Sequence, residues 1–162
     1  MTDLLRLSIE PEASPADIAA VQSGLRAFNV VRIGEPAEVP IQIFLRDDRG
    51  DVAGGLLGHI RWRWLYVGKL WIDAAHRGAG HGAALMAAAE AHAISQGCLG
   101  AYLDTFEYQA RPFYEKLGYE LFGTLDGYPP GYCQYHLAKR VAPTSHPPRP
   151  DGSRIARETP LP

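Results

Sequence analysis

The sequence is poor in the residues that define disulfide-rich and metal-binding proteins. It contains two cysteines, Cys98 and Cys133, among 162 residues. They form no Cys-x-x-Cys pair and have no histidine nearby at metal-ligand spacing, so the usual zinc signatures are absent. We interpret both as reduced thiols of a cytosolic protein, with a single disulfide as the alternative. No metal cofactor is expected.

Long apolar runs are also missing. A membrane-spanning helix needs about 20 consecutive apolar residues, and no segment of the sequence reaches that length. The N-terminal residues Met1–Arg6 lack the apolar stretch of a signal peptide. These absences predict a cytoplasmic protein without a membrane partner.

Neither sign of charge is in large excess. The 16 Lys and Arg residues face 18 Asp and Glu residues, which gives a formal net charge of −2. Nucleic-acid-binding domains usually carry a basic stripe, and none is visible here. No nucleic-acid partner is therefore expected.

What is present is the composition of an ordinary globular protein. Hydrophobic residues make up 46% of the chain and charged residues 21%. The length suffices for one hydrophobic core, so we predict a single domain over residues 1–140. Residues 141–162 are rich in proline, serine and arginine, and we expect a flexible tail there.

Hydrophobic periodicity and turn residues predict a mixed α/β domain. The predicted strands are Leu4–Ile9, Ile41–Arg46, Val52–Val67 with a bend or bulge at its glycines, Lys69–Asp73, Leu99–Thr105, Tyr119–Leu125 and Tyr132–Ala138. The predicted helices are one that begins at Ser14-Pro15, a long one over Ala83–Gln96 and a short one over Ala110–Leu117. This order is not a regular βαβ alternation.

A strand, a glycine-rich turn and a helix follow one another in the middle of the chain. Gly78, Gly80 and Gly82 lead into the predicted helix Ala83–Gln96, and Arg77 stands beside them. The first amides of a helix have no intrahelical partners, and the helix dipole favours negative charge there. Glycines let the backbone approach a phosphate closely. The segment therefore predicts an anion site, with a plain tight turn as the alternative.

The same segment fits a dinucleotide pattern loosely. Gly78, Gly80 and Ala83 match G-x-G-x-x-A, and Asp104 ends the next strand, where an acid could bind ribose. That fingerprint belongs in the first βα turn of a doubly wound sheet, whereas this one follows a meander. The lysine-bearing P-loop pattern is absent, which argues against ATP or GTP hydrolysis.

A third pattern extends over most of the chain. Arg77–Gly82 fits R-x-x-G-x-G, Leu70–Asp73 reads as the strand before it, and Ala110–Tyr119 fits A-x-x-x-Y-x-K-x-G-[FY]. In these motifs and their spacing the chain resembles the GNAT family of N-acetyltransferases. The resemblance extends from about Leu4 to Leu137 and leaves out only the tail.

The resemblance implies a central, mostly antiparallel twisted sheet of about six to seven strands, flanked by helices and splayed to admit acetyl-CoA. The pyrophosphate would lie on the amides after Arg77, and the pantetheine arm would pair with the preceding strand like an added strand. The implied cofactor-binding residues are Leu70, Trp71, Ile72, Arg77, Gly78, Ala79, Gly80, His81, Gly82 and Ala83.

Acetyl transfer from a thioester to an amine needs a neutral amine, close positioning and a proton for the departing thiolate. The resemblance implies that Tyr114 gives this proton, and a phenol suits the role because it is protonated at neutral pH. The alternative for Tyr114 is an aromatic of the core. Glu107 and Asp104 lie at or just beyond the end of the strand that leads into the site. A carboxylate there could bind the amine or relay its proton, and the alternative for Glu107 is a solvated loop charge.

The leading hypothesis is an acetyl-CoA-dependent N-acetyltransferase in which a primary amine of a small molecule, peptide or protein attacks the thioester directly. One alternative is a non-catalytic acyl-CoA-binding sensor or interaction module on the same fold, and another is an NAD(P)-dependent oxidoreductase. Trp62, Trp64 and Tyr66 alternate at strand spacing. They predict one aromatic strand face, for core packing, an acceptor pocket or the surface of a homodimer.

Overall fold

A computed structural model describes residues 5–35 and 37–142. The predicted C-terminal tail lies outside these residues, except for its first two positions. Of these, residues 5–35 fall in one compact unit and residues 37–142 in a second, and the helices and strands below are those of the described residues. Each unit is described by itself.

The first unit contains one helix, α1, over Pro15–Ile33. The Ser14 hydroxyl accepts a hydrogen bond from the Asp17 amide at 3.1 Å, and proline occupies the first turn, where its missing N–H costs nothing. The helix ends at Gly34, whose φ of 76° is left-handed and whose amide donates to the Val30 carbonyl. The predicted helix start is confirmed.

The predicted first strand, Leu4–Ile9, is wrong over the part that the structure describes. Residues 5–10 have no strand conformation, and Leu5, Leu7 and Ile9 are 95%, 93% and 89% exposed. A strand needs a neighbouring strand to pair with its N–H and C=O groups. The alternation of three apolar residues indicates which side chains would share a face, but it does not provide a neighbouring strand with which the segment could pair.

The second unit is a six-stranded mixed sheet with two α-helices. Its strands are β1 Val39–Arg46, β2 Val52–Arg61, β3 Trp64–Ile72, β4 Gly100–Phe106, β5 Glu120–Asp126 and β6 Cys133–Arg140. Its helices are α2 His81–Ser95 and α3 Arg111–Lys116, with one short 3₁₀ turn at Ala74–His76. The strand order is β1-β2-β3-β4-β6-β5, and β3 with β4 is the one parallel pair of this sheet. The predicted mixed, mostly antiparallel fold is confirmed.

The predicted strand Val52–Val67 is in fact two strands joined by a tight turn. Trp62 and Arg63 form the turn with φ values of 49° and 64°. Left-handed residues at both positions suit a two-residue hairpin, but asparagine and glycine are the residues that signal it. Contacts to another loop hold this turn instead: Arg63 Nε donates to the Gly97 carbonyl at 2.9 Å, and the Leu99 amide donates to the Arg63 carbonyl at 2.7 Å.

The predicted irregularity at the glycines of this hairpin is confirmed, but Lys69–Asp73 is not a separate strand. The β2–β3 register shifts between Leu57 and Gly58, so that Gly68 is an extra residue within a continuous β3. A Cβ at Gly58 would lie 2.1 Å from the Tyr66 carbonyl oxygen. Glycine is required there because the two backbones approach each other too closely for any side chain.

The core lies between one face of the sheet and helix α2. The buried side of α2 carries Leu85, Met86, Ala89 and Ala93, and these residues face β1, β2 and β3. The two alanines let the helix approach the sheet closely. The largest fully buried side chains are Leu56, Leu65, Met86, Leu103, Leu137 and Cys98. Burial of this kind contributes about 1.5–3 kcal/mol for each large apolar side chain.

Candidate active site

Strands β3 and β4 separate partway along their length. Their pairing covers four residue pairs and ends at Val67 opposite Leu103, although β3 continues to Ile72 and β4 to Phe106. A cleft of about 940 Å³ opens beyond the last pair. Its walls are formed by residues 67–72, 76–78, 80–83, 104–105, 109–110 and 113–114. The predicted splay is therefore present in the sheet.

The glycine-rich turn at one end of the cleft presents unpaired amides. Gly78 and Gly80 have φ values of 80° and 83°, in the left-handed region that only glycine enters easily. Gly80 is the N-cap of α2, and the first helical bond runs from the Ala84 amide to its carbonyl at 3.0 Å. The amides of His81–Ala83 consequently have no partner within the helix, and these residues line the cleft. This end is suited to bind an anion.

The three glycines of the turn have different roles. A Cβ at Gly78 or Gly80 would meet nothing within 4 Å, so these two positions need glycine for their backbone conformation. At Gly82 a Cβ would lie 3.3 Å from Cζ of Phe113. Gly82 therefore lets α3 pack against the first turn of α2, which brings the following residue of α3 to the cleft.

Arg77 connects the turn to the end of β3. Its Nε donates to the Ile72 carbonyl at 2.9 Å, and Arg77 also lines the cleft. Asp73 caps the intervening 3₁₀ turn by accepting from the Ala75 amide at 2.9 Å. His76 and His81 line the same end. Cationic and neutral nitrogen groups thus surround the free amides, which reinforces the preference for an anion.

Tyr114 lies in the wall of the cleft, on α3. It is 9% exposed and packs edge-on against Phe113 and Tyr119, with ring centroids 5.0 Å and 6.2 Å away. Burial, and then the negative charge of Asp104, raise the pKa of the Tyr114 phenol above its ordinary value. The hydroxyl therefore carries its proton at neutral pH and can donate it.

A polar network on the core side fixes the surroundings of Tyr114. The Tyr119 amide donates to the Tyr114 carbonyl at 3.1 Å, and the Tyr119 hydroxyl donates to Glu90 Oε1 at 3.0 Å. Lys139 Nζ donates to the other oxygen of Glu90 at 2.7 Å. The sequence contained no signal for this network, because its members come from α2, β6 and the segment after α3.

Asp104 lines the cleft where β4 leaves β3, and both of its carboxylate oxygens are hydrogen-bonded. The Tyr66 hydroxyl donates to Oδ1 at 2.8 Å, and Gln134 Nε2 donates to Oδ2 at 2.8 Å. Burial, then the hydrogen bond to Asp104 and its charge, raise the pKa of Tyr66 to about 12. Neutral donors therefore orient the carboxylate and leave its negative charge uncompensated.

Glu107 is placed differently from Asp104 and Tyr114. It is exposed and does not line the cleft, and its Oε2 accepts from the Cys133 amide at 3.2 Å. Its own amide donates to the Cys133 carbonyl at 2.9 Å. The structure thus brings Asp104 and Tyr114 together and puts Glu107 at the strand end beside them. Among the predicted cofactor-binding residues, all but Ala79 line the cleft.

Sequence reasoning missed Gln109, which orders the turn between β4 and α3. Its Oε1 accepts from the Thr105 hydroxyl at 3.1 Å and from the Phe106 amide at 2.9 Å. Gln109 and Ala110 form part of the cleft wall. Tyr66 and Gln134 were also missed as partners of Asp104, although the aromatic alternation pointed to Tyr66 as a residue with a specific face. Trp62, predicted on that face, lies in the hairpin turn.

A splayed sheet with free helix amides at one end of its cleft and a buried phenol in the cleft wall is the arrangement of an enzyme that handles an acyl-CoA thioester. The chain belongs to the acetyltransferase (GNAT) family, whose model matches residues 7–119. It is accordingly an N-acetyltransferase with acetyl-CoA as its cosubstrate. The family predicted from the motifs is confirmed.

This chain is similar in sequence to a named acetyltransferase and in fold to solved acetyltransferase structures. A blasticidin-S acetyltransferase from Streptomyces morookaense is 39% identical over 146 residues, which cover 87% of this chain and 100% of that protein. A protein from Agrobacterium tumefaciens assigned as an acetyltransferase has a crystal structure with a TM-score of 0.75 and 35% identity, covering 84% of this chain and 99% of that one. An acetyltransferase from Bacillus cereus shares the fold with a TM-score of 0.77 at 24% identity, covering 82% and 97%.

Neither the helices of residues 5–35 nor those of residues 37–142 are long and apolar enough to span a membrane. Within the same ranges, no group of three or more His, Cys, Asp and Glu side chains could hold a metal ion.

Proposed function

We propose that this acetyltransferase moves the acetyl group directly from acetyl-CoA to a primary amine, with Tyr114 as the acid that protonates the departing thiolate. The observation that carries the proposal is the position of the Tyr114 phenol. It is nearly buried and protonated, and it lies in the same cleft as the free amides of His81–Ala83. A non-catalytic acyl-CoA sensor would need the amides but not the proton donor.

The cofactor follows the cleft from the glycine turn to the splay. Its pyrophosphate lies on the free amides of the turn, with Arg77 as the charged donor. The pantetheine arm runs beside Leu70–Ile72, where β3 has lost its pairing with β4 and offers a free backbone edge. An extended chain can add to such an edge as another strand would.

The acceptor amine approaches the thioester from the side of Asp104. The amine nitrogen attacks the carbonyl carbon, the carbon–sulfur bond breaks, and the thiolate takes the proton of Tyr114. The proton lost by the amine passes to Asp104 or to water, and Tyr114 regains one from solvent. Before the attack, the uncompensated charge of Asp104 attracts the ammonium form, which releases a first proton to water to become the neutral amine; the proton described above is the second one, lost from the nitrogen after the attack. Glu107 stays a predicted second carboxylate for this role.

The acceptor that we propose to test first is a small-molecule amine. The relative from Streptomyces morookaense is named for acetylation of blasticidin S, and it aligns over its whole length. Blasticidin S is therefore a rational first acceptor, followed by a panel of primary amines. The cytoplasmic location and the homodimer inferred from sequence stay predictions, as does the single domain over residues 1–140.

The test is a transfer assay that follows the free thiol of coenzyme A, with Tyr114→Phe as the variant. The substitution removes one hydroxyl and keeps the ring packing, so acetyl-CoA binding should be unchanged while kcat falls by about 100-fold or more. Tyr102→Phe removes an exposed hydroxyl from β4 and is the matched control. Wild-type rates in Tyr114→Phe would show that the phenol is not the acid.

A further inference from the structure

Four aromatic side chains form a continuous cluster at the end of β4 and in the β5–β6 turn. We call Phe106, Tyr108, Tyr128 and Tyr132 the aromatic wall. Phe106 and Tyr108 are stacked, with an interplanar angle of 4° and ring centroids 5.5 Å apart. Tyr128 lies against Phe106 at 6.0 Å, and Tyr132 meets Tyr108 edge-on at 5.1 Å. The rings therefore support one another as a preformed surface.

The aromatic wall is not part of the hydrophobic core. Tyr108, Tyr128 and Tyr132 are 57%, 53% and 47% exposed, and none of the four residues belongs to the core cluster. Large aromatic side chains that are grouped and left open to solvent commonly mark a binding surface, whereas scattered ones do not. Core packing does not account for this cluster.

The aromatic wall begins where the cleft ends. Phe106 follows Asp104 by two residues on β4, so the two side chains share a strand face. Gln134, which binds Asp104, is the residue opposite Phe106 in the β4–β6 register. The turn that carries Tyr108 is ordered by Gln109, a residue of the cleft wall. The aromatic wall thus adjoins the end of the cleft that contains Asp104.

The surroundings of the aromatic wall are acidic. The two segments that build it, residues 97–110 and 120–137, contain neither lysine nor arginine. They contain four carboxylates: Glu120 begins β5 at the end of the hairpin away from the turn, opposite Ala138, whereas Asp104, Glu107 and Asp126 lie at the end that carries the aromatic wall. None of the three forms a salt bridge within the part of the chain that the structure describes.

The donors that hold these carboxylates are neutral. Glu107 and Asp126 both bind Cys133, the residue after Tyr132: one accepts from its amide at 3.2 Å and the other from its thiol at 3.3 Å. Hydrogen bonds from neutral groups fix the positions of the oxygens but leave their charges in place. The charge of this surface is therefore complementary to a cation.

We propose that the aromatic wall is the acceptor subsite and selects an amine that is cationic and carried on a planar ring. A ring face stacks on the exposed tyrosines, an ammonium group gains cation–π attraction from the same rings, and the three carboxylates attract its charge. The inference rests on the proposed direct transfer, because it names the class of amine that this reaction consumes.

The test compares two amines that differ only in the planarity of their ring. 2-Phenylethylamine and 2-cyclohexylethylamine have the same ammonium group and spacer, and the saturated ring is at least as apolar. Their dissociation constants are measured by calorimetry in the presence of coenzyme A. We expect the wild type to bind the aromatic amine about threefold to tenfold more tightly. General hydrophobic attraction alone would instead make the cyclohexyl amine the tighter ligand.

Variants of the aromatic wall sharpen this test. Tyr108→Leu and Tyr132→Leu should bring the affinity ratio of the two amines close to one. Phe122→Leu removes a 65% exposed ring from the same β5–β6 hairpin, outside the aromatic wall, and should keep the preference. Asp126→Asn should weaken both amines equally and leave the ratio unchanged. The thermal shift produced by coenzyme A reports that every variant is folded.

The outcomes separate this inference from the proposed function. Acetyl transfer without a preference for the planar ring overturns the inference and leaves the function intact. A ring preference without transfer to any amine supports the subsite and contradicts the function. If neither amine binds, the aromatic wall is not an acceptor subsite. The same conclusion follows if the wild type shows no ring preference and Tyr108→Leu abolishes a concentration-dependent dimer in sedimentation.

Discussion

The two ends of the cleft differ in the material from which they are built. The glycine-turn end binds through the backbone: three free amides, two left-handed glycines and a helix dipole, with Arg77 beside them. The Asp104 end acts through side chains that come from separate strands. A backbone site is encoded in a few consecutive residues, whereas a side-chain site depends on where distant segments meet. The sequence therefore predicts the glycine-turn end in full, whereas at the other end it predicts Asp104 but not the residues that bind it.

The two ends of the cleft also carry charges of opposite sign. Arg77 lines the glycine-turn end and Lys69 lies on the β3 wall next to it, whereas the carboxylate of Asp104 lines the other end. A cofactor that is anionic at one end and an acceptor that is cationic before reaction therefore enter the cleft at opposite ends. Electrostatic complementarity of this kind favours the correct orientation of both substrates before any contact is made.

The largest effect is expected when the backbone site is blocked. In Gly80→Glu, a carboxylate occupies the anion site and a side chain adopts a left-handed φ of 83°. The thermal shift with acetyl-CoA should be lost. Gly50→Glu is the matched control, because Gly50 has a φ of 87° and equally open surroundings in the β1–β2 turn. An acetyl-CoA shift that survives in Gly80→Glu, or a shift with NAD(P) in its place, would contradict the cofactor assignment.

A smaller effect is expected when only the charge of the side-chain end is removed. Asp104→Asn keeps the shape and an acceptor for the Tyr66 hydroxyl, and the amide of Gln134 can turn over to accept from the new NH2 group, but the attraction for an ammonium group is lost. KM for the amine should rise about tenfold to 100-fold, with KM for acetyl-CoA little changed. Asp48→Asn, at an exposed turn, controls for the loss of one surface charge. Equal changes in both KM values would show that Asp104 acts on the fold as a whole.

The next effect concerns stability at high pH. The pKa of Tyr66 is raised from 10.0 to about 12 in the folded protein. Between these pH values the unfolded chain releases this proton while the folded chain keeps it. The contribution of Tyr66 to the free energy of unfolding is therefore complete below about pH 10. It is lost as pH rises toward about 12, so the free energy of unfolding falls over this range. Urea unfolding at several pH values should show a shallower fall for Tyr66→Phe than for Tyr102→Phe. Parallel curves would contradict the raised pKa of Tyr66, to which burial contributes most and Asp104 next.

The smallest effect is expected at Glu107. Its carboxylate accepts from the Cys133 amide outside the cleft, and glutamine keeps an acceptor oxygen. Glu107→Gln should cost less than about 1 kcal/mol of unfolding free energy and change kcat by less than about threefold. Steady-state kinetics and urea unfolding measure both quantities. A loss of kcat as large as that of Tyr114→Phe would instead make Glu107 a catalytic group.

The features that the sequence did not predict are held by contacts between distant segments of the chain. The cap at Ser14 and the turn at Gly80 were predicted because each depends on adjacent residues only. The turn at Trp62 was missed because it is held by contacts with the loop after α2, not by its own turn propensity. The partners of Asp104 are 38 and 30 residues away in the sequence, so their pairing follows from strand register alone. Leu5, Leu7 and Ile9 show the reverse case, in which a local pattern has no partner to complete it.

Helix α2 joins the two ends of the cleft in one rigid segment. Its first amides form the anion site, and Glu90, two turns later, holds Tyr119 against Tyr114. Gly82 and Glu90 are separated by about 12 Å along the helix axis, at 1.5 Å per residue. The same helix thus supports the phosphate anchor through its first amides and the proton donor through two contacts, Gly82 with Phe113 and Glu90 with Tyr119, so that both groups are positioned by one segment of backbone.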